Sequence, residues 1–145
     1  MIRKPVFIDN GDGTITDTAN ELTWAKEDSW QVETKWFTWD EADRYAKDMA
    51  HSQFGGFVEW RLPTIAEAKT LYDPDMENHD KYGTKLFFNP IFPDGCLPTI
   101  WLHEASMSGD DYILDLRNGE IRTLYKSKSG RMAARPVRKA YELIE

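Results

Sequence analysis

Between Trp39 and Met49 the apolar residues fall on one helical face. Trp39, Ala42, Tyr45, Ala46 and Met49 recur at three- and four-residue spacing, while Asp40, Glu41, Asp43, Arg44, Lys47 and Asp48 take the other side. Thr38 precedes this run and Glu41 stands three residues on, so a capping box opens a helix that the pattern carries to about Ala50. The signature recurs at Thr64 and Glu67. Pro63 cannot continue a strand ladder and biases Leu62 towards extended geometry. Phe57 to Leu62 is therefore expected to run extended, after Gly55-Gly56, into a second helix from Thr64 to about Tyr72 with Ile65, Ala68, Leu71 and Tyr72 inward.

Elsewhere the apolar runs are short and strand-like. Val6-Phe7-Ile8 and Thr14 to Thr18 flank Asp9-Asn10-Gly11-Asp12-Gly13, which predicts a hairpin with a glycine-rich turn. Glu21 to Ala25 predicts a third strand, followed by a polar loop, Lys26 to Thr34, that carries Trp30. Asp73 to Asn89 is expected to be irregular, and Asn89 to Gly95 is rich in turn residues. Three strands are expected at Thr99 to Glu104, Tyr112 to Leu116 and Ile121 to Tyr125, the last two joined at Asn118-Gly119, with Met132 to Arg138 as a final strand. No repeat and no low-complexity segment interrupts this order, which predicts one α+β domain over residues 1–145.

Composition narrows the function classes. The formal net charge of -7 argues against a general nucleic-acid binder. Cys96 is alone, which excludes an internal disulfide and a multi-cysteine zinc site. The opening residues show no apolar leader core, which points to the cytoplasm, and no stretch approaches the ~18 apolar residues of a spanning helix. Aromatic residues make up 13% of the chain, with six Trp, so either the core or a binding surface is aromatic-rich.

Charge is unevenly placed. Residues 117–139 hold eight Lys or Arg against one Glu, whereas residues 1–116 hold ten basic and twenty-two acidic residues. Such a basic segment suits a polyanion, or pairs with acidic groups of its own chain or of a neighbouring subunit. Asp73, Asp75, Glu77, Asn78 and Asp80 place five oxygen-bearing side chains within eight residues, a candidate calcium loop set against a plain solvated acidic loop. The Asp9 to Gly13 segment reads instead as a turn, because Asn-Gly and Asp-Gly supply positive φ. His51, His79 and His103 show no metal spacing, and Cys96 has no basic neighbour in sequence to activate it. No phosphate loop and no nucleophile elbow occurs, and nothing points to catalysis.

Phe7 to Thr18, Leu22-Thr23-Trp24, Trp39-Asp40-Glu41-Ala42 with Tyr45-Ala46, Glu59 to Ile65, Asn89 to Pro93 and Ala134 to Arg138 together resemble the Lcl C-terminal domain family, named from a collagen-like bacterial adhesin. The resemblance implies a C-type-lectin-like fold: two helices packed on a small twisted antiparallel sheet, long irregular loops, and neighbouring N- and C-terminal strands. It implies a cell-surface or adhesion module, and the adhesin that names the family binds sulfated polysaccharides as a trimer. The chain departs from the family at Leu102-His103, where two small hydroxyl residues are usual, and at Pro136, where Cys is common. The calcium motifs of sugar-chelating animal lectins and the paired cysteines of the superfamily's enzymes are absent.

The expectation is a non-enzymatic recognition or adhesion module without an obligate cofactor, binding a glycan, another anionic polymer or a protein partner. The alternatives are a structural subunit of a homo-oligomer or larger assembly, and a metal-dependent enzyme using the 73–80 loop. The expected contact residues are Trp101, His103, Arg117, Arg122, Lys126, Lys128 and Arg131 on or near the terminal sheet, with Trp30 and Trp36 able to stack on a sugar or peptide. Trp24, Trp39 and Trp60 are assigned to the core.

Overall fold

A computed structural model describes residues 2–103 and 109–139 of the chain. It is an α+β domain with three α-helices and two four-stranded sheets. The first sheet opens with the expected hairpin, β1 (Phe7–Asp9) and β2 (Thr14–Asp17). Its turn is closed from within: Asp9 Oδ1 accepts from the Gly11 N–H at 2.9 Å, and Asp12 Oδ1 accepts from the Thr14 N–H at 3.0 Å. These carboxylates shape the turn rather than an ion site. β3 (Leu22–Ala25) follows antiparallel.

Three helices come next, one more than expected. Residues 26–34 are not a plain polar loop: α1 (Ser29–Glu33) sits inside them, capped reciprocally by Asp28 and Gln31. Helix α2 (Trp39–His51) starts at the predicted Thr38–Glu41 box. Helix α3 (Ile65–Lys69) starts at the predicted Thr64–Glu67 box but ends short of the expected Tyr72, because the Thr70 N–H and hydroxyl both turn back to the Glu67 carbonyl. A 3-10 turn, Phe54–Gly56, precedes the corner. Residues 57–62 form no strand; only Arg61 bridges, to Val137. The Arg61 guanidinium forks onto Glu67 at 2.7 and 2.8 Å across Pro63, which clamps the junction. Burial pushes the Glu67 carboxyl up, but Arg61 and the Thr64 N–H outweigh it and hold it below the usual range.

The stretch after α3 contains a two-residue hairpin, β4 (Asn78–His79) with β5 (Lys85–Leu86). The second sheet has the order β8-β7-β6-β9. Here β6 is Thr99–Trp101, β7 is Asp110–Asp115 and β8 is Glu120–Tyr125, joined to β7 through Asn118-Gly119 as expected. β6 stops at Trp101, short of the predicted end at Glu104, which itself lies outside the described residues. The single final strand is in fact two. β9 (Met132–Ala133) runs parallel to β6 in the second sheet, and β10 (Val137–Lys139) closes antiparallel on β3 in the first. Pro136, which has no N–H to donate, stands at the crossing. The C-terminal segment thus ties the two sheets together.

Between the sheets lies the main core, which includes Ile15, Trp24, Leu71, Phe88, Phe92, Leu97, Ile100 and Leu114. A second cluster seats Ala42 and Ala46 of α2 on Trp101 and Ile113 of the second sheet. Trp24 and Trp60 are buried as expected, whereas Trp39 is only half-buried. Among the described residues no helix is long and apolar enough to cross a membrane.

Candidate functional site

The nine expected contact residues separate into five environments. Trp101 is interior: it is 0% exposed, and its indole N–H donates to the Phe37 carbonyl at 2.9 Å. It holds α2 to the sheet and offers no surface to a ligand. The reason is strand parity, since the side chain of Trp101 faces the helix layer and not solvent.

Arg117 and Arg122 are engaged within the chain. The Asp115 carboxylate, almost fully buried, accepts from Arg117 Nε at 2.9 Å and its terminal nitrogen at 2.8 Å, and from Arg122 at 3.1 Å. Burial raises the Asp115 carboxyl, and the two guanidiniums with the Arg117 N–H outweigh this and hold it below the usual range. Two further cations of the basic segment are buried. Arg138 pairs with Glu59 at 3.2 Å, and Arg135 is 0% exposed. Part of the basic excess is therefore neutralised or enclosed within the chain.

His103 and Lys126 meet at Trp39. The Trp39 indole N–H donates to the Leu102 carbonyl at 3.0 Å, His103 stacks on the ring with centroids 6.0 Å apart, and Lys126 Nζ lies 4.3 Å from the ring centroid. Trp36, 42% exposed, and Lys128 stand at the surface without such a cluster.

Trp30 and Arg131 converge, and the point of convergence is a pair of residues that sequence reasoning passed over, Lys81 and Tyr82. Lys81 Nζ lies 4.2 Å from the Trp30 ring centroid and 5.2 Å from that of Tyr82, and the Arg131 guanidinium lies 5.0 Å from the Tyr82 ring. Tyr82 is 44% exposed, and neither cation forms an ion pair among the described residues. Three segments distant in sequence supply these groups, and each is fixed by interior bonds. Asp80 Oδ1 accepts from the Tyr82 and Thr84 N–H groups at 2.8 Å each, an Asx turn that sets the β4–β5 tip, while the Lys81 N–H donates to the Cys96 carbonyl at 2.8 Å. Arg131, at φ +61°, is held through its carbonyl by the Thr99 hydroxyl. Trp30 rides on α1, whose cap Asp28 is buried: Asp28 accepts from the Gln31 N–H at 2.9 Å and the Leu97 N–H at 2.8 Å. Burial drives the Asp28 carboxyl up, while Arg135 and the N–H donors pull it back. The signal that could have found this patch was Asp80-Lys81-Tyr82-Gly83, a turn with a cation and an aromatic at its tip.

The expected calcium loop is not assembled. Asn78 and Asp80 are buried and spent on backbone groups, Asn78 donating to the Phe92 carbonyl at 2.8 Å. Asp73 accepts from the Asp75 N–H, and Glu77 pairs with His79 and Lys85. Among the described residues no three His, Cys, Asp or Glu side chains gather as a metal site. Cys96 is fully buried, and burial pushes its thiol up to about 12.

Chemically, the Trp30–Lys81–Tyr82–Arg131 patch offers two flat apolar faces flanked by an ammonium and a guanidinium. Residues 13–138 match the profile of the Lcl C-terminal domain family. No curated protein matches the chain.

Proposed function

The chain belongs to the Lcl C-terminal domain family, and from that premise we propose that it is a non-enzymatic recognition module that grips an acidic glycan at Trp30, Lys81, Tyr82 and Arg131. The family is adhesin-associated, which supports a partner-binding role at the cell surface. The observation that carries the reading is the placement of two cations without ion-pair partners over the exposed Tyr82 ring and the half-buried Trp30 ring, on loops pinned from below. Aromatic faces suit the C–H side of a sugar ring, and the guanidinium fork suits a sulfate or carboxylate. The body is read as C-type-lectin-like, with the strand that closes on β3 bringing the two ends of the domain together. A structural role in a homo-oligomer is the weaker reading, because Arg117 and Arg122, the residues that would dock on an acidic neighbour, are already paired with Asp115.

Titration with a heparin-derived oligosaccharide at low and moderate salt tests this. Binding should weaken with salt, and K81A/R131A should lower affinity by roughly tenfold, about 1.4 kcal/mol. Absence of binding at low salt, or equal affinity in the double variant, overturns the assignment. Light scattering of the same samples separates ligand binding from self-association.

A further inference from the structure

A concave surface that shares no residue with the aromatic–cation patch carries the opposite charge. It is a groove of about 520 Å³ between α1, α2 and the turn of the first hairpin. Its floor and walls are Val32, Tyr45, Met49 and Phe54, with Phe54 laid over Gly13. Val32 is 57% exposed, and Phe54 also reaches solvent. A Cβ at position 13 would stand 3.0 Å from the Phe54 ring, so the ring lies this close because the residue is Gly.

The rim is acidic. Glu27, Glu33 and Asp48 line the groove, and none of the three forms an ion pair among the described residues. Other carboxylates nearby are paired: Asp43 with Lys47, Glu41 with Lys35, and Asp9 with Lys26. Arg44 and Lys35 share a smaller neighbouring cavity with Glu33 and Asp48, yet neither pairs with those two. The Tyr45 hydroxyl reports the local field: burial, then Glu33, Asp28 and Glu27, pushes it up to about 12.

We propose that this groove binds a small hydrophobic cation, an alkyl- or arylammonium whose apolar body lies on Val32, Met49 and Phe54 while its ammonium faces Glu27, Glu33 and Asp48. The volume falls within the roughly 300–1,000 Å³ of small-molecule sites, and such sites pair an apolar lining with a few polar groups that set orientation. Three carboxylates exclude an anion of the same shape, and an uncharged hydrocarbon would desolvate them without compensation. The Tyr45 ring adds an aromatic face to the cation's surroundings. This site is independent of the glycan patch and prefers the opposite charge.

Phenethylamine and 3-phenylpropanoate, which share an aryl body and differ in the sign of the charge, are the probes. Methyl-resolved NMR titration of the full chain up to about 10 mM ligand is the measurement. The amine should give saturable shifts at the Ala25, Val32 and Met49 methyls, and the carboxylate none. E33Q/D48N should weaken the amine by about tenfold, and V32R, which supplies a cation in place, should abolish its binding. Both variants sit on exposed or rim positions, and unchanged urea midpoints establish that they fold. Equal binding of the two probes, no amine shift at the Ala25, Val32 and Met49 methyls, no saturation, or unaltered affinity in E33Q/D48N or V32R would each overturn the assignment. None of these results depends on whether the acidic-glycan reading holds.

Discussion

Replacing Asp28 by Ala removes three supports at once. The side chain caps α1 through the Gln31 N–H, satisfies the buried Leu97 N–H, and is the carboxylate that offsets the buried Arg135. Loss of an N-cap costs about 1 kcal/mol. An orphaned buried N–H costs roughly 1–3 kcal/mol. A buried charge stripped of its partner costs about 3–5 kcal/mol, and these terms overlap because they share one side chain. The expected loss is about 4 kcal/mol, a large part of the roughly 5–15 kcal/mol available to a domain. Urea unfolding followed by tryptophan fluorescence should show the midpoint falling by about 2 M with the slope unchanged. Gln31 and Leu97 donate to different oxygens of Asp28, so Asp28→Asn keeps a cap but loses the charge and one of the two acceptors, and should fall between wild type and D28A. D28A/R135M should recover part of the loss, because it removes the stranded guanidinium. A loss under about 1 kcal/mol for D28A, or a double variant worse than the single, would refute the view that Asp28 and Arg135 are energetically coupled.

Two glycines with similar backbone angles should respond differently to Ala. Gly119 (φ +76°) would place its Cβ 2.7 Å from the Tyr72 ring, while Gly83 (φ +79°) has nothing within 4 Å. G83A should cost about 1 kcal/mol and G119A at least 1 kcal/mol more by the same urea assay; equal losses would show that Tyr72 yields freely. Glu67 and Asp115 are held below the usual carboxylate range, so their contribution is present above the ordinary unfolded values and is lost as pH falls through the depressed native ones. Thermal midpoints should therefore drop on acidification below about pH 4, and E67Q should flatten that drop; an identical slope would contradict the assignment. Cys96 should be inert to a thiol-exchange reagent until the chain is unfolded, and stoichiometric reaction of the native protein within minutes would show that the core opens there.

Local chemistry was the legible part of this chain. The Thr38–Glu41 and Thr64–Glu67 boxes and the Asn118-Gly119 turn are each decided within four residues, and each is where the pattern places it. Asp28–Gln31 carries the same box, yet the five-residue helix behind it has no apolar stripe to announce it. It persists because Leu97 and Ala134 bond to it from far along the chain. Burial was less legible. Alternation in a strand does not say which face is inside, so Trp101 reads equally as contact or core. The charge excess at residues 117–139 was countable, but its neutralisation depends on Asp115 being enclosed, a tertiary fact. The aromatic–cation patch was half visible, through Trp30 and Arg131, because Lys81 and Tyr82 join them only when the β4–β5 tip folds back over Cys96. The split of residues 132–139 between two sheets could have been suspected from Pro136 alone.

That split has a consequence during biosynthesis. While the ribosome still covers residues 132–139, β3 waits with one side unpaired and β6 lacks its parallel neighbour. Neither half of the nascent chain can finish before the other, since one short segment arrives last and zips both. For that interval the Leu22–Ala25 edge is a template for any stray extended polypeptide, so premature translation termination upstream of Met132 should yield chaperone-bound or aggregated product instead of a smaller folded domain.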